Sequence, residues 1–159
     1  MKVAVKHFIV VVFGAWLTLC AGSTTAVAQL IGGSVTATAG PASPNPVASG
    51  QQPPATSALN ATATPPTIGG EGCTLNAPTY SWSLDAGAPA GVYIDQYDGE
   101  FSPAATLVAP FTAPDTYTVS ATVTATWTDS CGNSTSATSD TGPITFTVVG
   151  VQKIQYLQG

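Results

Sequence analysis

The clearest pattern in the sequence is a twelve-residue alternation over residues 116–127. Every second residue is apolar or aromatic, and each residue between them is Thr or Ser. Because successive side chains of a β-strand point to opposite faces, the pattern predicts a strand with one buried face and one solvated, hydroxyl-bearing face. Strands of this two-sided kind are typical of antiparallel sheets.

Shorter alternations predict further strands, and turn-forming residues separate them. These strands lie around residues 34–39, 59–63, 79–84, 92–94, 106–108 and 144–149. The stretch 40–57 is rich in Pro, Ser and Gly, which predicts a loop. No segment has the period of an amphipathic helix. The chain is therefore predicted to be all-β, an antiparallel β-sandwich of about seven strands.

Residues 1–28 have the features of a secretory signal peptide. Lys2 and Lys6 precede an apolar run over residues 8–21, and residues 26–28 (AVA) form a small-x-small cleavage site. The run is too short to span a bilayer comfortably, so no membrane span is expected after signal removal. We expect a secreted or cell-surface protein that begins at Gln29. An alternative is a lipoprotein in which Cys20 becomes the acylated first residue.

Removal of the signal leaves an acidic chain with almost no cations. Lys153 is then the only basic residue against eight acids, a net charge of −7, and no Arg or His remains. Nucleic acids and anionic membranes require basic residues that neutralise phosphate, so the charge excludes both as partners. Without histidine, the chain cannot build a Ser-His-Asp triad or a histidine-ligated metal site. We therefore expect a protein that is not an enzyme.

Two cysteines, Cys73 and Cys131, remain in the processed chain. In an exported protein an even number of cysteines indicates a disulfide, and two thiols alone make a poor zinc site. The sequence therefore predicts a Cys73–Cys131 bridge.

Four segments follow one another along the chain: residues 80–87 (YSWSLDAG), 111–124 (FTAPDTYTVSATVT), 132–134 (GNS) and 144–148 (ITFTV). In their order they resemble a bacterial Ig-like domain of the PKD type. The resemblance covers about residues 34–150 and implies an Ig-like sandwich, a fold that serves mostly in surface spacers and binding modules.

The sandwich assigns structural roles to several residues. Trp82 is expected in the core, and the Tyr117 hydroxyl is expected to bond back to the backbone as a corner tyrosine. Trp127, on the apolar row of the long alternation, is also expected in the core. In an Ig-like sandwich, the loops that carry Cys73 and Cys131 lie at the same end, so the bridge would join loop to loop.

The only acidic cluster consists of Asp95, Asp98 and Glu100. Carboxylate oxygens are ligands that calcium prefers, so the cluster is a candidate calcium site, and no other cofactor is expected. A competing interpretation is a solvated acidic loop. A third is a glycosidase that uses Asp98 and Glu100 as paired carboxylates, although no deep cleft is indicated.

Tyr93, Tyr97 and Phe101 flank the acidic cluster. Exposed aromatic side chains would form a binding face for sugars or peptides, whereas buried ones would belong to the core. The scarcity of aromatic residues in the chain favours the core.

Together these features predict a secreted, non-enzymatic Ig/PKD-like domain that serves in cell-surface adhesion, spacing or protein–protein interaction. The alternative is a carbohydrate-binding module, with or without calcium, that uses residues 93–101. The expected partner is a protein or polysaccharide at the cell surface. Residues 151–159 continue the alternation and are interpreted as a C-terminal tail or linker.

Overall fold

The computed structural model describes residues 29–49 and 54–150, and this part of the chain contains twelve β-strands and no helix. The strands are β1 (Gln29–Ile31), β2 (Ser34–Ala39), β3 (Val47–Ala48), β4 (Ala55–Thr64), β5 (Thr67–Gly69), β6 (Thr79–Leu84), β7 (Tyr93–Asp95), β8 (Ala104–Ala109), β9 (Asp115–Val119), β10 (Ala121–Thr128), β11 (Ser134–Asp140) and β12 (Ile144–Val149). The predicted signal peptide, with Cys20, and the predicted tail, with Lys153, lie outside the described residues.

The strands form four sheets, with orders β1-β5, β2-β4-β8-β7, β11-β10-β6 and β3-β12-β9. All named pairings are antiparallel except that of β3 with β12. For residues 29–49 and 54–150 the all-β prediction is confirmed, and the arrangement is consistent with a β-sandwich. The predicted count of about seven strands omitted β1, β3, β5 and β11, and it joined β9 to β10.

The predicted long strand is two strands that meet at Ser120, which corrects the sequence interpretation. β9 pairs with β12, whereas β10 pairs with β6 and β11. Thr122 pairs with Asp140 in one ladder and Val119 pairs with Ile144 in the other, so the two residues between Val119 and Thr122 lie opposite the three residues between Asp140 and Ile144. This one-residue shift is the signature of a β-bulge, which bends the ribbon and turns it from one sheet to the next.

Thr141 completes the hydrogen bonding at the bend. Its backbone N–H donates to the Ala121 carbonyl oxygen (2.9 Å), and its Oγ1 accepts a hydrogen bond from the Ala121 N–H (3.2 Å). Because a buried backbone group without a partner is costly, the hydroxyl allows the ladder to change register without loss of that bond.

The alternation continues through the bend despite the break. Val119, Ala121, Val123, Ala125 and Trp127 are all buried, with exposed fractions of at most 2%. The hydroxyl-bearing residues between them are partly or fully exposed. The predicted dry and wet faces are therefore present, and one apolar row serves two sheets.

Strand β11 was missed because no residue in it is buried. Its sequence, STSATSD, has no apolar alternation from which a strand is recognisable, and its conformation follows from its pairing with β10. It also lies beside β2 at the edge of a second sheet, where the Ser139 Oγ accepts a hydrogen bond from the Ala37 N–H (3.0 Å).

The proline-rich stretch is partly extended, since β3 and the first residues of β4 lie within residues 40–57. In this stretch, the Asn45 side chain makes hydrogen bonds to β12 that the backbone of a neighbouring strand would otherwise make. Its Oδ1 accepts from the Thr147 N–H (2.9 Å), and its Nδ2 donates to the Thr145 carbonyl oxygen (3.2 Å). Because neighbouring prolines have no N–H, a side-chain amide supplies the bonds that the backbone cannot.

The core contains the aromatic residues expected there. Trp82 and Trp127 are buried. Tyr117 is half-buried, and its hydroxyl donates to the Ala113 carbonyl oxygen (2.9 Å) at the entry of β9, as a corner tyrosine would. Phe111 stacks on the Tyr117 ring at 3.9 Å and meets Phe146 edge-on at 5.6 Å.

The buried row of β10 provides a direct test of the fold. Val123→Thr keeps the side-chain shape but places a hydroxyl in the apolar core, so we expect a loss of about 1–3 kcal/mol of unfolding free energy in urea denaturation. Thr124→Val, on the solvated face, is the matched control and should change stability by at most about 0.5 kcal/mol. Equal effects of the two substitutions would contradict the assignment of the faces.

Candidate functional site

The segment of residues 93–101, here called the aromatic loop, begins with β7 and continues through two successive turns. The Gly99 N–H donates to the Gln96 carbonyl oxygen (3.1 Å), and the Ser102 N–H donates to the Gly99 carbonyl oxygen (3.2 Å). Tyr97 and Asp98 are the central residues of the first turn. Side chains at the corner of a turn are directed away from the strands on either side, which explains why these two project from the fold.

Two contacts with β6 hold the aromatic loop in place. The Gln96 Nε2 donates to the carbonyl oxygens of Tyr80 (2.8 Å) and Gly99 (3.0 Å). The Tyr80 N–H donates to the Glu100 carbonyl oxygen. Both outward backbone groups of Tyr80 therefore bond to the loop, which covers the β6 edge at this residue and links it to the β7 edge of the neighbouring sheet.

The three aromatic side chains of the loop are exposed, so the expectation that they belong to the core is wrong. Exposed fractions are 91% for Tyr97, 64% for Phe101 and 53% for Tyr93. The scarcity of aromatic residues favoured burial. However, Tyr93 pairs across the strands with Val108, and Val108 pairs with Thr56, so these three side chains share the outer face of the sheet. Tyr97 and Phe101 follow in turns that do not reach the core.

A shallow depression of about 200 Å³ lies next to Tyr97 on the outer face of the β2-β4-β8-β7 sheet. We call it the Tyr97 depression. Asp95 pairs with Thr106, and Thr106 with Ala58, so these three side chains share the outer face. Asn60 and Ala104 form the next pair along that face. Small side chains thus form the floor, and Asp95, Tyr97, Asp98 and Asn60 line its polar and aromatic sides.

The three acids of the loop, Asp95, Asp98 and Glu100, are the candidate calcium ligands of the sequence. Within residues 29–49 and 54–150, no group of three or more His, Cys, Asp or Glu side chains is arranged to hold a metal ion. Asp95 and Asp98 line the Tyr97 depression, but Glu100 does not. The paired carboxylates of the glycosidase interpretation, Asp98 and Glu100, likewise do not share this depression.

The predicted disulfide is present and joins two loops. Cys73 precedes β6 and Cys131 lies between β10 and β11, with 5.7 Å between their Cα atoms. Two hydrogen bonds join the residues next to the bridge: the Ser130 N–H donates to the Thr74 carbonyl oxygen (2.9 Å), and the Thr74 N–H donates to the Ser130 Oγ (3.0 Å). The bridge therefore extends the contact between β6 and β10 beyond the end of their ladder.

Asp129 organises the turn that carries Cys131. Its Oδ1 accepts hydrogen bonds from the backbone N–H groups of Cys131 (2.9 Å) and Asn133 (2.8 Å), and its Oδ2 accepts from the Asn133 Nδ2 (2.7 Å). The hydrogen bond from the Asn133 side chain, followed by those from the backbone, lowers the pKa of the Asp129 carboxyl below its usual value. Asp129 has a structural role here, since its oxygens face the turn and not a ligand.

The sequence did not single out Asn60, Thr106 or Gln96 as part of the site. Asn60 and Thr106 are 46 positions apart and meet only because β4 pairs with β8. The only sequence feature that places them is their position in the strand alternation. Each is adjacent to a buried Leu, so its side chain points to the outer face of the sheet. For Gln96, no sequence signal identifies β6 as its partner. The DSCGN turn of Asp129 does carry a signal, because Asp and Asn in turns often bond to the local backbone.

Replacement of Asp129 by Asn should destabilise the protein in a pH-dependent way. The lowered pKa means that the native state favours the carboxylate, so its stabilisation is present above the ordinary pKa of 3.8 and is lost as the pH falls through the native value. Urea midpoints should therefore differ between wild type and Asp129→Asn at neutral pH and converge in acid, once the pH has fallen below the lowered native pKa of Asp129. The control is Glu71→Gln, in an exposed loop. A stability difference that persists unchanged in acid would contradict this role.

Removal of the disulfide should lower stability without loss of the strand pattern. A loop of this length constrains the unfolded chain by about 4 kcal/mol in the loop-entropy model. The double variant Cys73→Ser/Cys131→Ser is expected to unfold at lower urea concentration while it keeps a β-type circular dichroism spectrum. Equal midpoints for the variant and the oxidised wild type would show that the bridge contributes nothing.

The comparisons with known proteins identify no relative. No protein-family model, curated protein or solved structure matches the chain. In the part of the chain that the structure describes, no helix is long and apolar enough to cross a membrane.

Proposed function

We propose that this chain is an exported, non-enzymatic domain of the Ig/PKD type that binds a protein or polysaccharide at the cell surface through its aromatic loop. The exposure of Tyr93, Tyr97 and Phe101 is the observation that carries the proposal. Burial of one large apolar side chain contributes about 1.5–3 kcal/mol, so three exposed rings forgo considerable folding energy. That energy becomes available when a partner covers them.

The attachment of the loop to β6 supports the same proposal. Gln96 bonds to Tyr80 and Gly99, so the turn that presents Tyr97 is held before any partner arrives. A preformed loop loses less conformational entropy on binding than a free one, and more of the contact energy appears as affinity.

The disulfide is compatible with an extracellular location, where oxidising conditions preserve such bonds. This agrees with the signal peptide proposed for residues 1–28. A domain that served only as a spacer would need the sandwich and the bridge but would gain nothing from three exposed rings. The exposed rings therefore favour binding over spacing.

The triple variant Tyr93→Ala/Tyr97→Ala/Phe101→Ala tests the proposal. We expect at least about tenfold weaker retention on intact bacterial cells and on immobilised polysaccharides, with little change in melting temperature, because the side chains are outside the core. Ile31→Ala is a matched control, since Ile31 is also exposed (57%) but lies on β1, away from the loop. If the triple variant binds like wild type, the aromatic loop is not the binding surface.

A further inference from the structure

The Tyr97 depression defines the chemistry of a ligand more narrowly than the aromatic loop alone. We infer that its occupant is an uncharged glycan, with one sugar ring lying on the alanine and threonine floor against the Tyr97 ring. This inference rests on the proposed binding function and specifies the ligand class. Three features carry it: the shape of the surface, its hydrogen-bonding groups and its charge.

The shape suits a flat, rigid ring. The depression is open to solvent, and small side chains form its floor, including Ala58, Ala104 and Thr106. Tyr97 stands beside this floor with 91% of its surface free. The face of an aromatic ring is the negative side of its quadrupole, and the C–H bonds of a sugar ring present weak positive charge to it. A flat ring can therefore contact the floor and the tyrosine together.

The polar groups around the depression match hydroxyl groups. The carboxylates of Asp95 and Asp98 only accept hydrogen bonds, so the ligand must donate to them. The Asn60 amide both donates and accepts, as does the Thr106 hydroxyl. A ring that carries several hydroxyls, each a donor and an acceptor, satisfies all four side chains.

Charge excludes acidic glycans. The described residues contain no Lys, Arg or His, whereas they contain eight acids, two of which line the depression. A uronate, sialate or sulfate group would lie near like charge without a cation to pair with, which disfavours binding. A basic peptide would match the charge. However, peptide side chains anchor best in closely packed, desolvated pockets, and this shallow floor provides none.

The ligand class can be tested by calorimetry with defined probes on the full mature chain. The neutral probes are cellohexaose, xylohexaose, maltohexaose and chitohexaose; the anionic probe is hexagalacturonic acid; the basic probe is hexalysine. We expect binding of at least one neutral hexasaccharide, with an affinity that does not change between low and high salt, and no binding of hexagalacturonic acid or hexalysine. Salt screens charge pairs but not contacts between uncharged groups.

Variants connect that binding to the depression. Tyr97→Ala should weaken binding of the neutral probe about tenfold or more, whereas Tyr97→Phe, which keeps the ring, should stay within about threefold of wild type. Asp95→Ala/Asp98→Ala should also weaken binding, because the ligand hydroxyls lose their acceptors. Glu71→Gln, an acid outside the depression, should have no effect.

The outcomes separate this inference from the proposed function. Salt-sensitive binding of hexalysine alone, binding of hexagalacturonic acid, or no binding of any neutral probe would overturn the uncharged-glycan assignment. In each of these cases the proposed function would still stand if the triple aromatic variant lost retention on cells. Binding of a neutral probe that Tyr97→Ala leaves unchanged would also overturn the inference, because it would place the ligand elsewhere.

Discussion

The burial of one unbroken apolar row along β9 and β10 is the interaction on which the rest of the structure depends. This row lies in two sheets, because β9 pairs with β12 while β10 pairs with β6 and β11. Its central residues, Ala121, Val123 and Ala125, are completely buried. A shift of one residue along this ribbon would move every apolar side chain to the solvent, so the register of its neighbours is strongly constrained. The bulge opposite Ser120 satisfies that constraint in both sheets.

Polar uncharged side chains complete the backbone pairing at several places where a strand bends or meets another sheet. Thr141 does this at the bulge, Asn45 along β12, Ser139 between β11 and β2, and Gln96 at the edge of β6. A chain whose described part has no basic residue cannot use ion pairs for this purpose. Hydroxyl and amide groups replace them, because each offers the donor or acceptor that a backbone group would otherwise lack.

A side-chain hydrogen bond of the same kind positions the candidate binding surface. Gln96 attaches the aromatic loop to β6, and this attachment holds Tyr97 above the outer face of a different sheet. The exposed ring is therefore carried by a turn that both sheets support. Binding surfaces on loops are commonly held by a rigid scaffold in this way, which separates the residues that bind from those that fold.

The sequence by itself determined the features that depend on local pattern. The alternation identified the buried and solvated faces of residues 116–127. The two cysteines left after the predicted signal peptide indicated the Cys73–Cys131 bridge. Both inferences need only neighbouring residues or a count. The tertiary structure alone decided where that alternation divides between sheets, that the polar strand β11 forms, and that Tyr97 faces solvent beside Asn60 and Thr106. Those outcomes depend on which strands pair, and pairing brings together residues whose separation along the chain leaves no local signal.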